Sequence, residues 1–170
     1  MAVKIITDSS ADISAALAKQ KDIEIIPLSI LFSDGSEYLD GVDITKDEFY
    51  AKMASFSELP KTSQPAQPVF RSVFSRHLEN GDEVVAVFIS SELSGTCQAA
   101  RLAQEELGSD RIVVVDSRNV SFGLCNIVLE AVRLRDLGHT AAGIGRELGE
   151  RLGDLSLYAM IGTLRNLQRG

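Results

Sequence analysis

Short runs of valine and isoleucine, set apart by stretches of helical periodicity, constrain this chain more than any other feature. The runs cover residues 3–7, 23–32, 83–89, 111–115 and 155–161. Each is too short for a helix and nearly continuous in its apolar character, as in strands of a parallel sheet buried on both faces. Pro27 sits inside the second run, which predicts a bend or an edge position there. Helical patterns fall between the runs. Residues 14–21 form a short one. Thr45-Lys46-Asp47-Glu48 reads as a capping box opening a helix towards Phe56. Residues 68–79 place Val69, Phe70, Val73, Phe74 and Leu78 at helical spacing and stop at Asn80-Gly81. Residues 94–107 stop at Gly108, residues 122–137 are apolar almost all round, and residues 140–152 are Gly-rich and weaker.

Alternation of this kind predicts an α/β fold: an open, mainly parallel sheet with helices on both faces and right-handed crossovers. A chain of 170 residues suits one such domain, with roughly 70% of the unfolded surface buried at this size. Residues 1–154 are read as that domain, with Gly153-Asp154 as a linker. Residues 155–170, a strand and one helical turn, are read as the start of a second domain.

Charge narrows the partners. The net charge is −7, which disfavours nucleic acid and anionic membrane surfaces, since both need a basic face. No apolar run reaches the ~18 residues of a membrane span. The first residues, Met1 to Asp8, lack a signal-peptide pattern. Cys97 and Cys125 are not spaced as a zinc or redox motif, so a cytoplasmic protein with reduced thiols is expected.

In an open α/β sheet, ligands bind beyond the carboxyl ends of the strands. Those ends here carry Asp8-Ser9-Ser10, then Ser90-Ser91-Glu92-Leu93-Ser94-Gly95-Thr96, then Asp116-Ser117-Arg118-Asn119. One such cluster is what an ordinary helix cap looks like. Three at one edge predict a polar pocket rim. Ser94-Gly95-Thr96 is the sharpest: a hydroxyl and free amides at a helix start suit a carboxylate or phosphate, and equally suit a plain N-cap serine. Thr62-Ser63-Gln64-Pro65-Ala66-Gln67-Pro68 reads as a proline-stiffened loop presenting two hydroxyls, or as a simple helix lead-in.

Several enzyme signatures are missing from the sequence. It has no Gly-x-x-x-x-Gly-Lys loop and no Gly-x-Ser-x-Gly elbow. Gly143-Ile144-Gly145 does not follow a strand. His77 and His139, near helix ends, are expected at the surface and belong to no metal set. Asp34, Asp40 and Asp43 flank Gly35 and Gly41 as loop carboxylates without EF-hand spacing.

Taken in order, seven segments resemble the DegV family, the fatty-acid-binding proteins of bacteria. They are Ile6-Thr7-Asp8-Ser9-Ser10-Ala11-Asp12, Ile26-Pro27-Leu28-Ser29-Ile30, Tyr38-Leu39-Asp40-Gly41-Val42-Asp43-Ile44, Thr62-Ser63-Gln64-Pro65, Ser90-Ser91-Glu92-Leu93-Ser94-Gly95-Thr96, Val115-Asp116-Ser117 and Thr163-Leu164-Arg165-Asn166-Leu167. The resemblance implies a two-domain α/β protein holding one long-chain fatty acid, such as palmitate, between its domains. It implies a non-catalytic subunit that presents the acid to a separate ATP-binding fatty acid kinase, which makes an acyl phosphate for phospholipid synthesis. The hydroxyls of Thr62 and Ser94 would bind the carboxylate, with Ser63 and Gly95 beside them. No metal or other cofactor is implied. Cys97 stands where the family commonly has an aromatic residue and Cys125 where it commonly has glycine. A tunnel-lining face without the covering second domain predicts self-association. The competing reading is a phosphoryl-transfer or sugar-phosphate enzyme using the Ser94 helix start as its phosphate site.

Overall fold

A computed structural model describes residues 2–162 and 164. The described residues divide into two compact units: 2–26 with Pro65–Leu157, and Pro27–Gln64 with 158–162 and Leu164.

The first unit is built on four parallel strands, β1 (Val3–Asp8), β2 (Ile23–Ile26), β6 (Glu83–Phe88) and β7 (Ile112–Asp116), in the order β2-β1-β6-β7. Pairing runs Ile5 to Ile23, Ile5 to Val85, and Val85 to Val113. Successive residues of each strand point to opposite faces, and here both faces are apolar. Ile5, Val85, Val87 and Val115 join one core with the helices α1 (Ala15–Lys21), α5 (Phe122–Asp136) and α6 (Ala141–Arg151). Ile6, Val84, Ala86, Phe88 and Ile112 join a second core with α3 (Gln67–Glu79) and α4 (Thr96–Leu107). The expected open, parallel sheet with helices on both faces is therefore the fold of this unit.

Local chemistry sets the helix limits. Ser14 and Thr140 cap α1 and α6 by accepting from Leu17 and Gly143 backbone N–H groups. Gly108 ends α4 in the left-handed conformation at φ 57°, where a side chain would be strained.

The second unit holds β3 (Ser29–Leu31), β4 (Glu37–Leu39), β5 (Lys61–Ser63) and the helix α2 (Lys46–Ala54). Its sheet is antiparallel, in the order β4-β3-β5. Ile30, Phe32 and Ile44 form its core with Tyr38, Phe49, Met53 and Phe56. The capping box of Thr45 and Glu48 is present at the start of α2.

Three expectations are corrected here. The run 23–32 is not one strand: β2 ends at Ile26, Pro27 cannot donate to a ladder, and β3 resumes at Ser29 in the other sheet. The run 155–161 is not a strand: no ladder takes it up, and Tyr158 and Met160 are more than 90% exposed. His77 is not at the surface. It follows Phe70 and Phe74 down the inner face of α3, is buried, and its Nε2 lies 2.7 Å from Glu24 on β2. Of the segment 163–167, all but Leu164 lies outside the described residues.

Candidate functional site at the carboxyl edge of the parallel sheet

Strand order places the crevice. From β1 the chain turns to β2 on one side, while β6 and β7 lie on the other. The sheet therefore reverses its winding between β1 and β6, where ligands bind in open α/β folds. The three polar clusters read from the sequence meet there. Asp8, fully buried at the end of β1, accepts from the Ile89 backbone N–H at 2.9 Å, from the Ser10 N–H at 2.9 Å and from the Ser10 hydroxyl. The Ser90 N–H donates to the Asn119 carbonyl at 2.9 Å, and the Ser117 hydroxyl donates to that same carbonyl at 3.1 Å. The Ser91 hydroxyl donates to Asp116 at 2.5 Å, and the Arg118 N–H to the same carboxylate at 3.0 Å. Burial works to raise the pKa of Asp116. The hydrogen bonds from Ser91 and Arg118, with the charge of Arg101, outweigh it and hold the group below 3.8.

The backbone of this rim is held away from easy conformations. Asp12, Arg118 and Ser121 have φ of 55°, 52° and 53°, in the region that favours glycine. Ser121 is over-determined: its N–H donates to the Ser10 carbonyl at 2.9 Å and its hydroxyl to Asp12 at 2.5 Å. The Asp12–Ser121 pair was not legible in the sequence, where 109 positions separate the two. Leu93, on the loop after β6, and Phe122, the first residue of α5, have 64% and 71% of their surfaces exposed.

Ser94 needs one correction. The N-cap of α4 is Gly95, with φ −75° and ψ 3°, and Ser94 is the residue before it. Its hydroxyl accepts from the Thr96 N–H at 3.3 Å and lies 2.9 Å from the Thr96 hydroxyl. Gly95 allows the chain to turn into the helix without a competing side chain, and the first-turn amides point outward from the helix start. Cys97 follows, fully buried; burial pushes its thiol up to about 11, the Arg101 charge opposes this, and the charges of Asp116 and Asp8 add to it. A nucleophilic thiolate is thereby disfavoured. Cys125 is raised likewise, by burial and then by Asp12.

Thr62 and Ser63 lie in the second unit and are not in a loop. They belong to the edge strand β5, with Thr62 paired to Ile30 and Ser63 to Ser29, and both are exposed. Strand pairing, and not the prolines that follow, sets the direction of these hydroxyls. Asp34 and Asp43 serve turns of the same unit. Asp34 accepts from the Ser36 N–H at 2.9 Å and its hydroxyl at 2.5 Å, and pairs with Lys52 at 3.1 Å. Asp43 accepts from the Leu39 N–H at 2.8 Å. Among the described residues no group of three or more His, Cys, Asp or Glu could hold a metal ion. No helix among them is long and apolar enough to cross a membrane.

Known proteins share this fold. A DegV domain-containing protein of Clostridium perfringens is 40% identical over 168 residues, which are 99% of this chain and 60% of the relative. The chain thus spans about 60% of the length of such relatives. A solved structure described as fatty acid binding by a DegV family protein from Thermus thermophilus superposes with a TM-score of 0.79 at 36% identity. It covers 89% of this chain and 53% of the other. A stearic acid-binding protein from Eubacterium ventriosum superposes with a TM-score of 0.77 at 32% identity, covering 90% and 52%. A family model, that of the uncharacterised proteins of the DegV family, matches residues 2–170, and with these relatives it establishes that the chain belongs to the DegV family.

Proposed function

We propose that this chain binds one long-chain fatty acid, such as palmitate, with its carboxylate held by the hydroxyls of Thr62 and Ser94. Ser63 and the backbone at Gly95 assist them. The observation that carries the reading is the likeness, over about 90% of the chain, to solved DegV proteins described as fatty-acid-binding. The chemistry of the rim agrees with it. Exposed Leu93 and Phe122 offer apolar surface beside hydroxyls and helix-start amides. Burying an acyl chain stabilises the complex by ~0.8 kcal/mol per CH₂, a gross gain that holds only if the carboxylate keeps its hydrogen bonds. The Asp8 and Asp116 carboxylates of the rim are taken up by backbone and serine donors of the fold, and the Ser94 hydroxyl at the start of α4 is the donor assigned to the anion.

The bound acid is presented to a separate ATP-dependent fatty acid kinase, which forms the acyl phosphate that enters phospholipid synthesis. This chain supplies no catalyst and works in the cytoplasm. We read residues 1–154 as the DegV-like α/β domain and place the start of a second domain at 155, in keeping with the greater length of the relatives.

The test is a titration of the full chain with palmitate and with hexadecanol. Each charge-assisted hydrogen bond contributes about 1.5–3 kcal/mol. Thr62→Val and Ser94→Ala should each weaken palmitate binding about tenfold or more and leave the alcohol far less affected. Palmitate binding at wild-type strength by both variants contradicts the assignment.

A further inference from the structure

The Ser94 hydroxyl has a partner inside the fold that decides where its proton goes. Thr96 opens α4 and is fully buried. Its Oγ1 lies 2.9 Å from Ser94 Oγ, and its backbone N–H donates to that same oxygen at 3.3 Å. Only one of the two hydroxyls can donate across the contact. Thr96 is shut away from water, and Ser94 Oγ is the only partner of its hydroxyl among the described residues. If Ser94 donated, the Thr96 proton would be buried with no acceptor, the costly arrangement for a polar group. If Thr96 donates, every atom is satisfied. Ser94 Oγ then accepts twice, from the Thr96 hydroxyl and the Thr96 amide, and both its lone pairs are used. Ser94 is half-buried, so its own proton is left to point out of the fold. Donors arranged in series polarise one another, which strengthens the outward one.

We propose that Thr96 is a positioning residue that makes Ser94 a one-way hydrogen-bond donor, matched to an acceptor-only group such as a carboxylate. The inference rests on the reading that Ser94 binds the carboxylate. It adds that the buried neighbour, which touches no ligand, sets the preference of Ser94 for the ionised acid.

The experiment is a double-mutant cycle in the full chain, titrated with palmitate and with hexadecanol. Thr96→Val keeps the shape and removes the hydroxyl. It should weaken palmitate binding about three- to tenfold, the worth of one ordinary hydrogen bond, and shift hexadecanol by less than about twofold. Thr96→Ser restores the hydroxyl and should bind both as wild type does, which a purely structural role for the threonine methyl would not allow. In a Ser94→Ala background, Thr96→Val should cost nothing further. Should Thr96→Val fail to fold by circular dichroism, Thr96→Ala against Thr96→Ser carries the same comparison. Weakening by Ser94→Ala with none by the hydroxyl-free Thr96 variants overturns the role of Thr96 and leaves the carboxylate site standing. Wild-type palmitate binding by Ser94→Ala overturns both.

Discussion

Alanine at Gly145 and at Gly149, one turn apart on α6, should move stability in opposite directions. In a helix interior, alanine is favoured over glycine by about 1 kcal/mol because the backbone loses less freedom on folding. A Cβ built at Gly149 meets nothing within 4 Å. The helical gain is therefore unopposed there, and Gly149→Ala should add about 0.5–1 kcal/mol. A Cβ at Gly145 would stand 2.5 Å from Val113 Cγ1 on β7, well inside the ~3.5–4.0 Å of a carbon–carbon contact. Val113 is stiff at χ1 and its strand is paired on β6, so α6 must retreat or the valine must leave its rotamer. Overpacking of this kind costs about 1–3 kcal/mol. Set against the helical gain, the net loss for Gly145→Ala is about 1 kcal/mol. At this chain length each kcal/mol shifts the melting temperature by roughly 2–4 °C, so the two variants should fall on either side of the wild type. Urea unfolding followed by circular dichroism reads the same difference as midpoints at constant slope. In a Val113→Ala background the penalty at Gly145 should disappear. If Gly145→Ala stabilises as much as Gly149→Ala, the close approach of α6 to the sheet is wrong.

Asp34 supplies a pH test of the second unit. The Ser36 hydroxyl, the Ser36 amide and the Lys52 ammonium hold its pKa at about 2, below the ordinary 3.8. A depressed carboxylate contributes stability that is complete above pH 3.8 and is lost as pH falls through about 2. Asp34→Asn should flatten the acid limb of the stability curve between those values, and an unchanged limb refutes the bond set. The thiols test burial: at pH 8 a thiol reagent should leave Cys97 untouched in the native state and modify Cys125 more slowly than a free thiol, with both reacting in urea. Fast native labelling of Cys97 would contradict its place in the core.

The strands β1, β6 and β7 were legible because each is a short apolar run that gives way at its carboxyl end to Asp8-Ser9-Ser10, Ser90-Ser91 or Asp116-Ser117. Two helix limits were legible from the sequence: the Thr45–Glu48 box and Gly108 act where the pattern placed them, whereas Ser14 and Thr140, read as first helical residues, are the N-caps just outside α1 and α6. The small antiparallel sheet was not legible. Its strands are three residues long, and β5 is Lys61-Thr62-Ser63, with no apolar residue to give a period. The run 155–161 misled for the opposite reason: apolar content alone does not make a strand without a ladder to join. At the site, the three polar clusters followed from one rule about strand ends. The strained backbone at Ser121 did not, because serine carries no mark of positive φ as glycine does.

Lipid bound to the purified full chain tests the central claim most directly. The protein is denatured, its lipids are extracted and weighed by mass spectrometry, and the delipidated, refolded chain is then titrated with palmitate. The account predicts a long-chain fatty acid recovered near one per chain and saturable palmitate uptake at the same ratio. Recovery of no fatty acid, together with no uptake of palmitate by a chain that circular dichroism shows to be folded, would contradict it.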